Sequence, residues 1–191
     1  AGRAAYVPLA HTYPGAPDQL NRAEVLRLLQ PLLEDGHRGK LGHHLKYDAH
    51  VLRNHGIELR GMRFDSMLES YVLNSTATRH DLDSVARHYL GVATIHYEDV
   101  AGKGAKQLPF NEVPIETAGE YSAEDADVAL RLHGALWPQI EQLPMLRALK
   151  ALAPKSWLHA QVEVQAPDEQ GFGLLGSGVF IVQEGQQAVV T

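Results

Sequence analysis

The sequence predicts an α/β fold, and two observations support that prediction. A strand-forming segment is followed by a helix-forming segment twice in the first third of the chain, and this alternation is typical of α/β proteins. The 191 residues are 45% hydrophobic and 21% charged, the composition of an ordinary globular protein with one core. We therefore expect one α/β domain with an appendage.

The first strand and helix are predicted within residues 5–36. Residues 5–10 are an apolar run suited to a strand, and the Pro/Gly/Asp segment 14–18 is predicted to be a loop. Asn21 and Glu24 have the spacing of a capping box at a helix start. Leucines then recur at helical spacing until Asp35-Gly36 ends the helix.

The same alternation continues, with a strand over residues 40–45 and a helix over 48–55 that Gly56 ends. The mostly apolar segment 63–75 and the segment 81–90 are each predicted to be helices, the second closed by Gly91. Residues 91–114 have no clear period, so we expect an extended surface loop there.

Pro114 opens the strongest predicted helix, which runs to about residue 141 and keeps Tyr121, Asp125 and Val128 on one stripe. Beyond residue 144 the composition changes. Residues 151–158 favour a helix, whereas 161–165 and 178–190 contain strand formers. The apolar run 172–182 is too short and too glycine-rich to span a membrane.

Charge and cysteine content exclude several classes of protein. A formal net charge of −6 argues against a polybasic nucleic-acid binder and suits an enzyme that uses carboxylates to hold divalent cations. The absence of cysteine excludes disulfides, thiolate metal sites and cysteine nucleophiles, and a cytoplasmic location is the default. Because the first residues include no initiator Met, we expect the chain to begin inside a longer parent sequence.

Tyr121 and Asp125 form the most informative pair of polar residues. Four residues apart on a helix, they lie on the same face one turn apart. A carboxylate on an apolar stripe is costly unless something compensates its charge, and a metal ion does so. Alternatively, this face tilts toward solvent near the helix N-terminus, where the helix dipole favours acids.

Asp48 lies at the junction of a predicted strand and helix. Functional sites in α/β folds cluster at strand ends, but aspartate is also a favoured helix N-cap. Nearby histidines lack zinc-ligand spacing and have no cysteine partner, so we do not expect a histidine zinc site; they are His43, His44, His50 and His55.

Four segments match one family in order. They are GHHLKYDAHVLRNHGIELRG (42–61), FDSMLESYVLNSTATRHDLD (64–83), AGKG (101–104) and YSAEDADV (121–128). These strings resemble the 3′→5′ proofreading exonuclease domain of the family A bacterial DNA polymerases, over about residues 5–141. The resemblance implies a ribonuclease H-like, DnaQ-like three-layer α/β fold for residues 1–148 and an unrelated tail for 149–191.

The resemblance also implies a chemistry and a partner. In this family two divalent cations, normally Mg²⁺ with Mn²⁺ or Zn²⁺ as alternatives, support hydrolysis of the 3′-terminal phosphodiester of DNA during replication and repair. By match to the motifs, Asp48 and Asp125 are metal ligands and Tyr121 positions the attacking water. The expected partners are a frayed or single-stranded DNA 3′ end and a polymerase domain of the same parent chain, with no membrane.

Four further residues match positions near the DNA path in the family: His44, Arg79, Tyr97 and Lys103. An aromatic side chain that stacks on a base grips any terminal nucleotide, but Tyr97 could equally anchor its loop. Lys103 is either a phosphate contact or a solvated loop lysine. These alternatives stay open at the level of sequence.

The sequence departs from the family in two respects. The family's first motif, Asp-x-Glu on the first strand, has no counterpart in these 191 residues, so we expect a fold incomplete at its opening strands and little or no nuclease activity. The tail is interpreted as a junction or frameshift product, and residues 176–191 resemble the beginning of a band-7/prohibitin-type domain. The competing functions are a non-catalytic scaffold or DNA-binding module and a related exoribonuclease.

Overall fold

A computed structural model describes residues 4–144, 178–184 and 187–190. The predicted segments 151–158 and 161–165 lie outside the described residues. The strands are β1 (Tyr6–Pro8), β2 (Gly39–Gly42), β3 (Met62–Asp65), β4 (Gly178–Glu184) and β5 (Gln187–Val190). The helices are α1 (Arg22–Leu33), α2 (Leu45–Asn54), α3 (Ser66–Leu73), α4 (Leu82–Leu90), α5 (Tyr97–Ala101) and α6 (Ile115–Gln142).

The five strands form one mixed sheet in the order β1-β4-β5-β2-β3. β2 is parallel to both of its neighbours, β3 and β5. β4 is antiparallel to β5 and to β1. The short buried strand β2 is thus interior, and its carboxyl end lies beside those of β3 and β5 at one edge of the sheet.

Both faces of β2 are covered. Leu41 is fully buried and packs against Ala126 and Ala129 of α6. Because side chains alternate along a strand, the neighbouring Lys40 points to the opposite face, where its Nζ donates to the Asp35 carbonyl just after α1 at 2.6 Å. The predicted α/β fold class is confirmed, with a small mixed sheet and helices.

Three predicted helices begin and end close to their sequence signals. The Asn21 side chain accepts from the Glu24 N–H at 3.1 Å at the start of α1. The Asp81 carboxylate accepts from the Ser84 N–H at 2.9 Å at the start of α4, which ends at Gly91 with φ of 67°. α6 follows Pro114 as predicted, because proline fits the first turn of a helix.

The prediction of one helix over residues 63–75 is wrong. The segment begins as strand β3, with Phe64 paired to Leu41 of β2, and turns into α3 only after Asp65. The Asp65 carboxylate accepts from the Met67 and Leu68 N–H groups and so sets the start of α3. A short apolar run favours strand and helix equally, and pairing with β2 decided between them. The predicted strand 40–45 likewise ends at Gly42, with α2 beginning at Leu45.

The prediction of an extended surface loop over residues 91–114 is also wrong. The segment contains α5 and two 3₁₀ turns, Gly104–Lys106 and Phe110–Glu112. Ala101, Phe110 and Val113 are buried and form one cluster with Ala118 of α6. A few apolar anchors order this segment, and they have no periodicity that a sequence pattern would reveal.

α6 carries much of the core. Its Val128, Leu132 and Leu136 are buried against Val85 and Ala86 of α4. This packing confirms the apolar stripe predicted for the helix. None of the helices in the described ranges is both long and apolar enough to cross a membrane.

Candidate active site

α6 presents Tyr121 and Asp125 one turn apart on its partly buried face, as their spacing predicts. The Tyr121 hydroxyl lies close enough to the Asp125 carboxylate to favour its ionised form. Burial raises the pKa of Asp125 to about 7; the Tyr121 hydroxyl opposes this rise, and the charges of Asp83 and Glu124 add to it. Burial, together with Asp125, also raises the pKa of Tyr121 far above its usual range, so the phenol stays protonated.

The second predicted ligand, Asp48, lies in the first turn of α2 and is partly buried. The interpretation of Asp48 as a helix N-cap is wrong, because the N-cap of α2 is His44. Burial and, next, the charge of Asp65 raise the pKa of Asp48 to about 7. Asp48 and Asp125 are thus both carboxylates whose ionised form the folded protein disfavours, which is typical of functional sites.

Tyr97 connects the two parts of the site. Burial, then the charge of Asp48 and then Tyr97, raises the pKa of Tyr47, which adjoins Asp48 in α2. The Tyr97 ring centroid lies 6.2 Å from that of Tyr121 and 6.2 Å from that of Phe110. These contacts anchor α5, and the expected stacking of Tyr97 on a DNA base stays a prediction.

The number of metal donors is lower than a complete site requires. Among residues 4–144, no group of three or more histidine, aspartate or glutamate side chains could hold a metal ion. Within these residues, Asp48 and Asp125 are therefore not part of any group of three or more such ligands.

The other three predicted DNA-binding residues lie at the surface. His44 is exposed and adopts a left-handed backbone conformation with φ of 65°. The Arg79 side chain is 88% exposed, with its Nε 3.4 Å from an Asp81 carboxylate oxygen. Lys103 forms an ion pair with Glu98. Arg79 and Lys103 are therefore each next to an acidic side chain, which a DNA phosphate would have to displace.

A set of polar residues that no sequence pattern indicated holds the start of α5. Asp83 accepts hydrogen bonds from the Thr94 hydroxyl at 2.6 Å and from His96 Nδ1 at 2.5 Å. Glu124, the residue before Asp125, accepts from the Ile95 N–H at 2.6 Å. The segment ahead of Tyr97 is thus fixed to both α4 and α6. These residues come from three elements, so no local spacing could have identified them.

Comparison with known proteins agrees with this geometry. A family model described as 3′-5′ exonuclease matches residues 4–141. The chain is 63% identical to a DNA polymerase I of Pseudomonas aeruginosa over 76% of its own length and 16% of the relative's. It is 41% identical to a DNA polymerase I of Rhizobium leguminosarum, over 72% of this chain and 14% of the relative. A DNA polymerase I of Synechocystis is 34% identical over 76% of this chain and 14% of the relative.

These matches cover the same part of the chain that contains Asp48, Tyr121 and Asp125. The chain spans about a sixth of the length of the curated relatives it matches. The mixed α/β sheet flanked by helices is consistent with the ribonuclease H-like fold of such domains, whose family generally depends on divalent metal ions. The chain therefore belongs to the 3′-5′ exonuclease domain family of the DNA polymerase I enzymes.

Proposed function

We propose that this domain, in a polypeptide that supplies the remaining ligands, removes nucleotides from DNA 3′ ends by hydrolysis supported by two divalent cations. Asp48 and Asp125 each contribute oxygen ligands, and the Tyr121 hydroxyl orients the attacking water. The observation that carries the proposal is the adjacent Tyr121–Asp125 pair on α6, because it places a phenol beside a partly buried carboxylate.

The chemistry of the two aspartates fits Mg²⁺. Both offer hard oxygen donors, which Mg²⁺ prefers. Both carboxylates have a pKa of about 7 in the folded chain, so a bound cation would stabilise the ionised form that burial disfavours. When bound, the cations would lower the pKa of the attacking water and stabilise the leaving oxygen.

The rest of the chemistry belongs to the side chains. The Tyr121 hydroxyl lies beside Asp125, and its oxygen can accept a hydrogen bond from a water molecule. Tyr97 lies beside Tyr121, where it could stack on the terminal base. This arrangement supports hydrolysis at a DNA 3′ end whatever its terminal base.

We further propose that the 191-residue chain alone has little nuclease activity. Two aspartates supply fewer ligands than a pair of cations requires, and the part of the chain within residues 4–144 contains no group of three or more ligating side chains. The relatives are DNA polymerases of which the chain covers about a sixth. A polymerase domain in the same polypeptide, and DNA as substrate, follow from that likeness.

The test restores the absent motif. An Asp-x-Glu strand from a DNA polymerase I exonuclease domain is joined ahead of Ala1, and the fusion is assayed for Mg²⁺-dependent shortening of 3′-labelled single-stranded DNA. An added strand can join the sheet only beside a strand with an unpaired side. β5 occupies the side of β2 opposite to β3. A second fusion therefore ends at residue 144, so that β5 cannot compete for β2.

We expect at least one fusion to shorten DNA and the 191-residue chain to be inactive. Asp125→Ala should abolish the activity, whereas Asp127→Asn, on the same helix and ion-paired with Arg131, should retain it. Two inactive, folded fusions would contradict the proposal and favour a non-catalytic scaffold. Preferential shortening of RNA would favour an exoribonuclease.

A further inference from the structure

The Asp65 carboxylate accepts four backbone N–H groups. Its Oδ1 accepts from His44 at 3.0 Å, Met67 at 3.0 Å and Leu68 at 3.3 Å. Its Oδ2 accepts from Leu45 at 2.9 Å. Two of these donors open α2 and the other two open α3, so one carboxylate caps two helices.

The start of α2 depends on this contact because it has no cap of its own. Its N-cap residue, His44, makes no side-chain capping hydrogen bond. His44 also has φ of 65°, a left-handed conformation that costs about 1–2 kcal/mol for a residue other than glycine. Asp65 accepts from the His44 N–H itself and from the next residue, and therefore stabilises both the strained turn and the helix start.

Strand pairing brings Asp65 to this position. Gly42, the last residue of β2, is the partner of Asp65, the last residue of the parallel strand β3. The two parallel strands end side by side, and α2 begins three residues after Gly42, at Leu45. The Asp65 side chain thus spans the gap between the ends of two neighbouring strands.

Asp48 lies three residues after Leu45, in the first turn of α2. Whatever holds the His44 and Leu45 amides also sets the direction in which the Asp48 side chain leaves the helix. A metal ligand must be held within about half an ångström of its productive position. The residue that caps α2 is therefore well placed to control that position.

We propose that Asp65 is a positioning residue for the exonuclease reaction: it caps α2 from the neighbouring strand and so holds Asp48 in the direction required of a metal ligand. This inference rests on the proposed function. The four N–H groups that Asp65 accepts give it a capping role at the starts of α2 and α3.

The first test is kinetic and uses the active fusion described above with Asp65→Asn. Asparagine keeps one oxygen for the His44, Met67 and Leu68 donors but cannot accept from Leu45. Supporting residues of metal sites typically affect activity by 10- to 100-fold. We expect kcat to fall on the order of tenfold, with KM for DNA changed less than twofold.

The matched control is Asn21→Ala, which removes the N-cap of α1 and leaves the start of α2 untouched. It should lower stability by about 1 kcal/mol with kcat unchanged. Unchanged kcat in Asp65→Asn, or an equal fall in Asn21→Ala, would overturn the inference. In either case an active fusion would leave the proposed function standing.

The second test uses the 191-residue chain and needs no nuclease activity. Mn²⁺ is added while NMR records paramagnetic broadening of the amide signals of residues 47–49. We expect broadening that requires on the order of tenfold more Mn²⁺ in Asp65→Asn and the native amount in Asn21→Ala. If the fusions are inactive but the Mn²⁺ titrations give this result, the proposed nuclease function is overturned and the role of Asp65 in positioning Asp48 stands. Equal broadening in native and Asp65→Asn chains would overturn the positioning role.

Discussion

Replacement of Asp125 by asparagine should stabilise the metal-free chain at pH 8. The folded protein holds the pKa of Asp125 at about 7, against 3.8 for the unperturbed group. A difference of about 3 pH units corresponds to about 4 kcal/mol between the two protonation states. Because Asp125 is partly accessible to solvent, we expect about 2–4 kcal/mol.

The direction follows from proton linkage. Between pH 3.8 and about 7 the folded chain binds a proton at Asp125 that the unfolded chain has lost. The free energy of unfolding therefore falls as pH rises through this window and is level above it. Asparagine cannot ionise and escapes this loss. The gain should be present at pH 8 and absent near pH 3.5.

The assay is urea unfolding at the two pH values, followed by tryptophan fluorescence. Asp127→Asn is the matched control, since it also removes one carboxylate from α6 but loses only a 3.6 Å ion pair with Arg131. That pair is worth about 0.3–0.5 kcal/mol. If Asp125→Asn changes stability equally at both pH values, or destabilises the chain at pH 8, the reasoning is refuted. Mg²⁺ that binds Asp125 should stabilise the native chain, and so reduce the difference in free energy of unfolding between the native chain and Asp125→Asn.

Three further predictions concern stability and are checked by urea unfolding. Leu132→Ala should cost about 2–5 kcal/mol, because the side chain is 0% exposed in the core; a cost below 1 kcal/mol would refute the packing. Gly61→Ala should cost at least about 2 kcal/mol, since φ is +72° and a Cβ would lie 2.3 Å from the Arg38 carbonyl oxygen. The hydrogen bond to Asp83 raises the pKa of His96 above 6.5, so their pair stabilises the fold below pH 6.5 and is lost as pH rises through the raised value. His96→Ala should therefore destabilise more at pH 6 than at pH 9, and equal losses would exclude this pairing.

Elements with strong local signals were predictable from sequence. α1, α4 and α6 each have a capping residue, proline or glycine at an end, and such signals act within one turn of the chain. The placement of Tyr121 and Asp125 on one helix face was also predictable from a local signal. Helical geometry alone places residues four apart on one face, whatever surrounds the helix.

Elements with weak local signals required the tertiary structure. The run 63–75 suits strand or helix, and pairing with β2 made its first four residues a strand. Residues 91–114 have no period, yet burial of Phe110 and Val113 orders them. Asp65 illustrates the same limit, because two of its four N–H donors come from His44 and Leu45, about twenty positions earlier.

By itself, the sequence determined the alternation of strands and helices, the spacing that puts Tyr121 and Asp125 on one face of a helix, and the family strings. Alternation and spacing are local properties of the chain, whereas the catalytic roles expected of Asp48, Tyr121 and Asp125 come from the resemblance of those strings. The tertiary structure alone decided that burial and neighbouring acids raise the pKa of both aspartates to about 7, and that Asp65 caps the helix that carries Asp48. Burial and electrostatic interaction depend on distance in space, which strand pairing and helix packing set between residues remote in sequence.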